Sequence, residues 1–292
     1  MSENDRISPT AHYTGFVWAR NGLSHPRLET TEGRILFESL RGVMALSRTL
    51  GGNSLERYLL ARHGCIDRLL QEAIDRGRIS QVIEVACGLS PRGWRFSSRY
   101  ADRIVYVEAD LPAMAERKRQ ALADMGSLSD HHRVVDLDAL ATSGPESLFG
   151  VGAQLPREQG TAVITEGLLA YLDTPSVESL WREIARTLSA FPDGLYLSDL
   201  HLGAVQDLPI RAFRLLLSVF VRGNVHLHFE TVPEAVQALR DAGFERAHVR
   251  RAMDVLGGSG DRGGSRHRGG SGPRGGGGQL VHIIEASTVR SQ

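Results

Sequence analysis

The apolar positions of residues 33–76 recur three or four residues apart, the spacing that places side chains on one face of an α-helix. A short sequence, Gly-Gly-Asn-Ser at 51–54, interrupts this pattern, and Asn53 or Ser54 is a suitable N-terminal cap for the helix that follows. The pattern therefore predicts two amphipathic helices that form a helical cover ahead of a sheet.

From residue 81 onward, short runs rich in β-branched residues alternate with helical stretches. The runs are QVIEVA (81–86), RIVYVEA (103–109), HRVVDL (132–137), TAVITEG (161–167) and GLYLSDL (194–200). Strands that alternate with helices form βαβ units, which build a parallel sheet covered by helices on both faces. The first five strands are therefore predicted to be parallel.

The end of the chain departs from this alternation. Residues 204–222 predict an amphipathic helical insert, and a helix from residue 232 to about Gly243 precedes a sixth strand. A last strand lies in QLVHIIEAS (279–287). Because no helix is predicted between the last two strands, they are expected to form an antiparallel hairpin. Five alternating strands and a hairpin match the Rossmann-like α/β sheet of class I methyltransferases, whereas a dehydrogenase-type sheet ends in a further helix-connected strand.

This pattern predicts two parts of the chain: an N-terminal segment and helical cover over 1–78, and a sheet domain over 79–292 in which 204–230 is a helical lid. Residues 257–278 hold 12 glycines in 22 positions and cannot bury apolar surface, so we expect a disordered loop there. Its arginines resemble segments that bind RNA, and an RNA-binding protein on the same scaffold remains an alternative. A flexible expansion of the hairpin is the interpretation that we favour.

Composition limits the classes of function. The chain is 41% apolar and 23% charged with a net charge of zero, so no overall field attracts it to nucleic acid or lipid. Two cysteines cannot form a zinc-ligand set, and the longest apolar run, at 213–221, is too short to span a membrane. The polar N-terminus has no signal-peptide pattern. We expect a soluble cytoplasmic protein without a metal. Nearly all of its basic residues are arginines, with Lys118 as the only lysine, and this composition is typical of a GC-rich bacterial genome.

Two sequences at strand ends indicate a ligand site. EVACGLSPRG (84–93) follows the first strand, where a tight turn can bring backbone N–H groups to a ligand. With Ala86 and Cys87 before Gly88, the turn is a weak signal for a pyrophosphate-binding loop. About twenty residues further on, Asp110 ends the second strand, where a carboxylate can accept hydrogen bonds from a ribose. The alternative is that Asp110 caps the helix that begins at Pro112.

Three segments together, EVACGLSPRGW, YVEADLP and ITEGLLAYLD, resemble the leucine carboxyl methyltransferase family of S-adenosylmethionine-dependent O-methyltransferases. The resemblance is closest over roughly residues 55–200. Its most specific marks are the E-x-D-x-P of the second strand and the E-G-L-L-x-Y-L after the fourth. The resemblance implies a class I methyltransferase fold and S-adenosylmethionine as the cofactor.

The same resemblance implies the cofactor ligands. Arg62 would pair with the methionine carboxylate, which a guanidinium can hold through two hydrogen bonds. Asp110 would bind the ribose, and Glu166 would face the methionine end. The other implied members of the cofactor site are Glu84 at the start of the loop sequence, Ala86 and Gly88 under the methionine part, and Asp136 and Leu137 beside the adenine.

The implied reaction is transfer of the sulfonium methyl group to an oxygen atom. A carboxylate acceptor needs no general base, whereas a phenol or alcohol benefits from one. His201, just past the fifth strand, is the best-placed candidate for a catalytic base, and Tyr13, Tyr171 and His201 are candidate substrate contacts. The expected acceptor is a small-molecule carboxylate or hydroxyl in specialised metabolism. A protein or peptide C-terminal carboxylate is the alternative acceptor.

Two further segments carry less information. His226, His228 and Glu230 alternate along NVHLHFE and could ligate a metal, but no other cluster completes such a site, so pocket or surface roles are favoured. The sequence TGFVWARNG near the N-terminus contains no residue pattern from which a chemical role can be predicted. In the family that the chain resembles, this segment folds over the cofactor, so we expect it to contribute to a lid.

Overall fold

The computed structural model describes residues 9–49, 55–203, 226–257 and 281–289, with the side chains of residues 41–49 and 289 excepted. Three helices precede the sheet: α1 (Pro9–Arg20), α2 (Thr31–Thr49) and α3 (Leu55–Asp75). The two predicted amphipathic helices are therefore present as α2 and α3. The Gly-Gly-Asn-Ser sequence between them, most of the predicted lid (204–225) and nearly all of the glycine-rich segment (258–280) lie outside the described residues.

The sheet has seven described strands. They are β1 (Gln81–Val85), β2 (Val105–Asp110), β3 (His132–Asp136), β4 (Thr161–Thr165), β5 (Asp193–Leu200), β6 (Arg246–Arg251) and β7 (His282–Val289). The helices that accompany them are α4 (Arg92–Tyr100), α5 (Pro112–Asp124), α6 (Leu148–Gly152), α7 (Thr174–Leu188), α8 (Val232–Asp241) and α9 (Ala252–Gly257). Short 3₁₀ turns cover Pro26–Leu28, Ala101–Arg103 and Leu169–Tyr171.

The strand order β3-β2-β1-β4-β5-β7-β6 is that of a class I methyltransferase sheet. Strands β1 to β5 pair in parallel, and β7 pairs antiparallel to both β5 and β6. In β1, Val85 is in register with Ala109 of β2 on one side and Thr165 of β4 on the other. The chain passes from β1 outward through β2 to β3 and then crosses back to β4, on the other side of β1. Open α/β sheets bind ligands at this switch point, beside the carboxyl ends of β1 and β4.

The predicted mostly parallel sheet with a terminal antiparallel pair is confirmed, with one correction. The prediction had no helix between the last two strands, but α9 follows β6 directly. Ala252 and Val255 of α9 are three residues apart and buried on one face. That face lies against α3, where the Sγ of Cys65 donates to the carbonyl of Ala252. A six-residue helix is too short for its apolar spacing to stand out from a strand pattern.

Both faces of the sheet are buried, as expected for parallel strands. Helices α6, α7 and α8 cover one face, where the Trp181 ring is completely buried and its Nε1–H donates to Tyr196 Oη at 3.1 Å. Helices α1 to α4 and α9 cover the other face around Tyr58 and Ile66. Each large apolar side chain buried in this way stabilises the fold by about 1.5–3 kcal/mol.

Helix α1 lies in the segment for which the sequence predicted only a lid. Tyr13 stacks on Phe37 of α2 with ring centroids 5.8 Å apart, and this pair holds the two helices together. Their close approach requires Gly33, because an added Cβ there would lie 2.2 Å from the carbonyl oxygen of His12. Among the described residues, no helix combines the length and the apolarity needed to cross a lipid bilayer.

Candidate active site

A cavity of about 400 Å³ opens at the carboxyl ends of β1 to β5. The parallel register brings these ends to one edge of the sheet, while α1 and α3 form the opposite wall. The described residues that line it include Thr10, Ala11, Thr14 and Trp18 of α1, Tyr58, Leu59 and Arg62 of α3, and the segments 85–89, 137–140 and 166–168. The walls are mainly apolar, with a few polar groups at defined places, as in small-molecule sites.

The turn after β1 forms the cavity floor, and two of its residues have left-handed backbones. Ala86 has φ of 52° and Gly88 has φ of 51°. The backbone N–H of Gly88 donates to Oδ2 of Asp110 at 2.7 Å, and the N–H of Leu111 donates to Oδ1 at 2.8 Å. Burial raises the pKa of Asp110 above its ordinary value. The N-cap position of α5 is Leu111, so Asp110 does not cap that helix and instead faces the cavity.

A buried ionic cluster supports the same turn from below. The ammonium of Lys118 lies against one carboxylate oxygen of Glu108 and donates to the carbonyl of Ser90 at 2.5 Å, while His132 Nε2 lies 2.7 Å from the other oxygen. Gly93 leaves room for Glu108, since an added Cβ would lie 2.3 Å from Oε1. Lys118 of this cluster therefore binds the backbone carbonyl groups of the turn, and the N–H of Gly88 donates to Asp110.

At the other end of the cavity, Arg62 is held between two carboxylates. Its Nε donates to Glu166 at 2.9 Å and its Nη1 to Asp199 at 3.2 Å. Asp199 also accepts from the backbone N–H of Gly167 at 2.7 Å. Burial would raise the pKa of Glu166, but His63, Arg92 and Arg62 hold it well below its usual value. Glu166 is therefore a permanent anion on the cavity wall.

Behind Glu166 lies Arg92, a completely buried residue that sequence reasoning did not identify. Its guanidinium donates to Asp67 and to Glu84, each at 2.6 Å, and to Glu166. The sequence places Arg92 just after the turn, but nothing in the spacing shows that three carboxylates from other elements converge on it. This network sets the position of Glu166.

Two predicted cofactor ligands do not lie on the cavity wall. Glu84 is buried on the α3 side of the sheet, where it pairs with Arg92 and accepts from Tyr106 Oη at 2.8 Å. Alternation along β1 places its side chain on the opposite face of the sheet from Ile83 and Val85. Asp136 pairs with Arg119 Nη2 at 3.0 Å instead of facing the cavity. Leu137 lines the cavity, and the carboxylate beside it on the wall belongs to Asp138.

The candidate substrate residues fall into two groups. His201 lines the cavity and its Nε2 is hydrogen-bonded to Tyr58 Oη, and Tyr171 lines the cavity mouth with its hydroxyl on Thr10 Oγ1. Burial lowers the pKa of His201 to about 4, so its imidazole is neutral at neutral pH. Tyr13 does not line the cavity, because it projects from the face of α1 that packs on Phe37.

The described residues contain no group of histidine, cysteine and acidic side chains arranged for a metal ion. His228 hydrogen-bonds instead through both ring nitrogens, to Thr174 Oγ1 at 3.2 Å and to the carbonyl of Leu169 at 2.8 Å. The neighbouring ring of His226 stacks on it with centroids 6.3 Å apart. These contacts attach residues 226–228 to the turn at Leu169–Tyr171.

Curated relatives match part of this chain. They are provisionally named S-adenosyl-L-methionine-dependent methyltransferases. The relative from Mycobacterium ulcerans is 33% identical over 39% of this chain and 36% of its own length. The relative from Mycolicibacterium smegmatis is 34% identical over 42% and 40%, and that from Mycobacterium tuberculosis is 30% identical over 50% and 46%. The matched segment thus spans less than half the length of each of these relatives.

Solved structures share the fold over nearly the whole chain. A provisionally named methyltransferase from Thermobifida fusca YX superposes with a TM-score of 0.62 at 13% identity, over 98% of this chain and 97% of that one. A DUF574 family protein from Streptomyces avermitilis superposes with a TM-score of 0.57 at 13% identity, over 97% of each chain. A sequence model of the family described as leucine carboxyl methyltransferase matches residues 37–185, just over half of the chain. The protein belongs to the leucine carboxyl methyltransferase family.

Proposed function

We propose that this protein is an S-adenosylmethionine-dependent O-methyltransferase that acts on a hydroxyl group of a small molecule. The observation that carries the proposal is the pair of fixed carboxylates, Asp110 and Glu166, in one cavity at the switch point of the sheet. Its cofactor is S-adenosylmethionine, the cofactor named for the curated relatives.

The residues present fit this cofactor. Both oxygens of Asp110 accept backbone N–H groups, and each keeps a lone pair for ribose hydroxyl donors. Arg62 and Glu166 offer a cation and an anion to the amino acid end. The cofactor carries a net positive charge, and Asp110, Asp138 and Glu166 give the cavity wall an excess of negative charge.

When bound, the cofactor supplies an electrophilic methyl group on sulfur. The protein contributes alignment and exclusion of water, which α1 supports by covering the turn after β1. A hydroxyl acceptor must also lose a proton. His201 lines the cavity beside Tyr58 and is the imidazole placed to take up that proton, although burial lowers its pKa to about 4 and makes it a weak base. This is the reason for preferring a hydroxyl to a carboxylate, which needs no base.

The cofactor part of the proposal is tested by calorimetric titration with S-adenosylmethionine and S-adenosylhomocysteine. Asp110→Asn should weaken both by about tenfold or more, because a charged hydrogen-bond acceptor is lost. The matched control is Asp136→Asn, at the end of the adjacent strand in register with Asp110 but outside the cavity. It should bind as the wild type does. A wild type that binds neither compound contradicts the proposal.

The acceptor is tested by the chemistry of the product. Labelled methyl groups transferred to a panel of phenols, alcohols, carboxylic acids and peptides are treated with mild alkali. Esters release methanol under these conditions and ethers do not. We expect alkali-stable products, formed more slowly by His201→Gln. Alkali-labile products, or labelled peptides, would support the carboxylate acceptors and contradict a hydroxyl acceptor.

A further inference from the structure

The part of the cavity that His201 lines, here called the acceptor end, lies past the group proposed to bind the ribose. Asp110 ends β2 and His201 follows β5, so the ends of β1 and β4 lie between these two residues. Neighbouring strands of a sheet are about 4.8 Å apart, and three such spacings separate β2 from β5. A ligand group that reaches His201 therefore lies beyond the ribose site.

The wall of the acceptor end is apolar and partly aromatic. The hydroxyl of Tyr171 is hydrogen-bonded to Thr10 Oγ1 at the cavity mouth, and the hydroxyl of Tyr58 is hydrogen-bonded to His201 Nε2. Because each hydroxyl has a partner within the protein, both tyrosines contribute ring surface to the wall. Such a surface favours another aromatic ring, through offset stacking or edge contact. The described residues of this wall, besides His201, are Tyr58, Leu59, Leu168, Ala170, Tyr171 and Leu172.

The charges on the cavity wall disfavour an anionic acceptor. Three acidic side chains line the cavity, and Arg62 is the one permanent cation among the described residues of the wall. Its Nε donates to Glu166 at 2.9 Å and its Nη1 to Asp199 at 3.2 Å, so its charge is shared between two carboxylates. A carboxylate acceptor would add a negative charge without a cation of its own from this wall, and burying such a charge is costly. The acceptor is therefore neutral when it binds.

The environment of His201 limits which neutral hydroxyl can lose its proton there. Burial lowers the pKa of His201 to about 4, against the opposing charge of Asp199, so the imidazole is a weak base. A phenol such as the tyrosine side chain has a pKa of about 10, whereas bulk water, which resembles an aliphatic hydroxyl, has a pKa of about 16. Proton transfer to a weak base is less unfavourable from the more acidic donor. His201 can therefore assist a phenol far more than an aliphatic alcohol.

We propose that the methyl acceptor is a phenol, whose aromatic ring lies against Tyr171 and the apolar wall and whose hydroxyl meets His201. The inference rests on the proposed function and narrows its acceptor from hydroxyl groups in general to phenols. In the transfer, the phenol oxygen forms a bond to the methyl carbon, the methyl–sulfur bond breaks, and the electron pair of that bond stays on sulfur. The phenol proton passes to His201, which releases it to water at neutral pH. The products are an aryl methyl ether and S-adenosylhomocysteine.

The first test measures binding to the complex of the protein with S-adenosylhomocysteine, so it does not depend on turnover. The probes share one two-ring skeleton: 2-naphthol, 2-naphthoate, and decahydro-2-naphthol, which has the hydroxyl without the aromatic rings. Calorimetric titration should show 2-naphthol binding at least about tenfold more tightly than either of the others. Equal or tighter binding of 2-naphthoate or of decahydro-2-naphthol, or no binding of 2-naphthol, would overturn the proposal.

Two variants of Tyr171 test the contact with the ring. Tyr171→Leu keeps an apolar side chain and removes the aromatic ring, so it should weaken the binding of 2-naphthol by about threefold to tenfold. Tyr171→Phe is the matched control, because it keeps the ring and removes only the hydroxyl that bonds to Thr10, and it should bind 2-naphthol nearly as the wild type does. Unweakened binding by Tyr171→Leu would contradict the place given to the aromatic ring.

The second test uses the wild type and separates the class of acceptor from the proposed function. Transfer of labelled methyl groups from S-adenosylmethionine is measured for phenols and for cyclohexanols that carry the same substituents. The phenols should react at least about tenfold faster, since they are the more acidic donors. Comparable rates for the cyclohexanols would overturn the phenol and leave a methyltransferase that acts on hydroxyl groups. Transfer to carboxylic acids alone, or a wild type that binds neither S-adenosylmethionine nor S-adenosylhomocysteine, would instead remove the proposed function.

Discussion

The ammonium group of Lys118 lies against the carboxylate of Glu108, and both side chains are completely buried. Lys118 is the only lysine in the chain. Burial would lower its pKa, but the charge of Glu108 raises it above the ordinary value, so the pair stays ionised. Because the same ammonium donates to the carbonyls of Ser90 and Gly88, the pair joins α5 and β2 to the turn that forms the cavity floor.

Replacing Lys118 with methionine should destabilise the fold by about 3–5 kcal/mol, because it leaves a buried carboxylate with His132 as its remaining ionisable partner. Urea denaturation at neutral pH measures this loss. The double variant Lys118→Met with Glu108→Gln should recover part of it, since the buried negative charge is then removed as well. Arg117→Met, at an adjacent position whose side chain is 39% exposed, is the control and should change stability by less than about 1 kcal/mol. Equal stability of the single and the double variant would contradict the explanation.

Ala86 and Ala101 are the two described residues other than glycine with a left-handed backbone, at φ of 52° and 48°. Such a backbone costs a residue with a Cβ about 1–2 kcal/mol, partly offset by the greater flexibility of glycine in the unfolded chain. Ala86→Gly and Ala101→Gly should therefore each raise the free energy of unfolding by up to about 1 kcal/mol.

The two sites serve as controls for each other, since Ala86 lines the cavity and Ala101 ends α4 far from it. Titration with S-adenosylhomocysteine should show a changed affinity for Ala86→Gly and an unchanged affinity for Ala101→Gly. The β-branched variant Ala86→Val should lose stability, because valine tolerates this backbone poorly. A gain in stability with valine would show that strain at residue 86 is absent.

The strands of the sheet could be predicted because the pattern that identifies each one lies within a few consecutive residues. Strands β1, β2, β4 and β5 are buried on both faces almost throughout, and each corresponds to a short β-branched run in the sequence. The order of the elements then limits the topology. Asp110, Glu166 and Leu137 reach the cavity because they follow the carboxyl ends of such strands. Their prediction needed no knowledge of side-chain partners.

The errors occurred where a distant partner decides the direction of a side chain. Glu84 turns to Arg92, Asp136 turns to Arg119, and Tyr13 packs on Phe37. None of these pairings is visible as a spacing in the sequence. Helix α1 was also not predicted, because its buried face mixes glycine, threonine and histidine with apolar residues. Its role became apparent only from the cavity that it covers.

Arg92 should not tolerate replacement by lysine. Its guanidinium reaches Asp67, Glu84 and Glu166 from three nitrogens at once, and a single ammonium cannot span the three carboxylates. Arg92→Lys should therefore cost about 3–5 kcal/mol, the range for an unpaired buried charge. Urea denaturation measures the loss. The matched control is Arg95→Lys, whose side chain is 33% exposed and pairs with Asp67, and it should cost less than about 1 kcal/mol. Equal costs at both positions would refute the geometric argument.

The low pKa of His201 has a consequence for stability in mild acid. Burial lowers this pKa to about 4, with the positive charge of Arg62 acting in the same direction and Asp199 opposing it. An unfolded histidine titrates near 6.5, so between about pH 6.5 and pH 4 the unfolded state binds the proton and the folded state does not. Stability therefore rises with pH across this window, and the contribution of His201 is lost as the pH falls.

In His201→Gln this dependence is absent. From pH 7 to pH 5, urea denaturation should show the wild type losing on the order of 1 kcal/mol more than the variant. His131→Gln, at an exposed histidine, controls for the substitution itself. His12, His228 and His282 also have lowered pKa values, but they are common to both proteins and cancel in the comparison. Parallel pH profiles for the wild type and His201→Gln would mean that folding does not lower the pKa of His201.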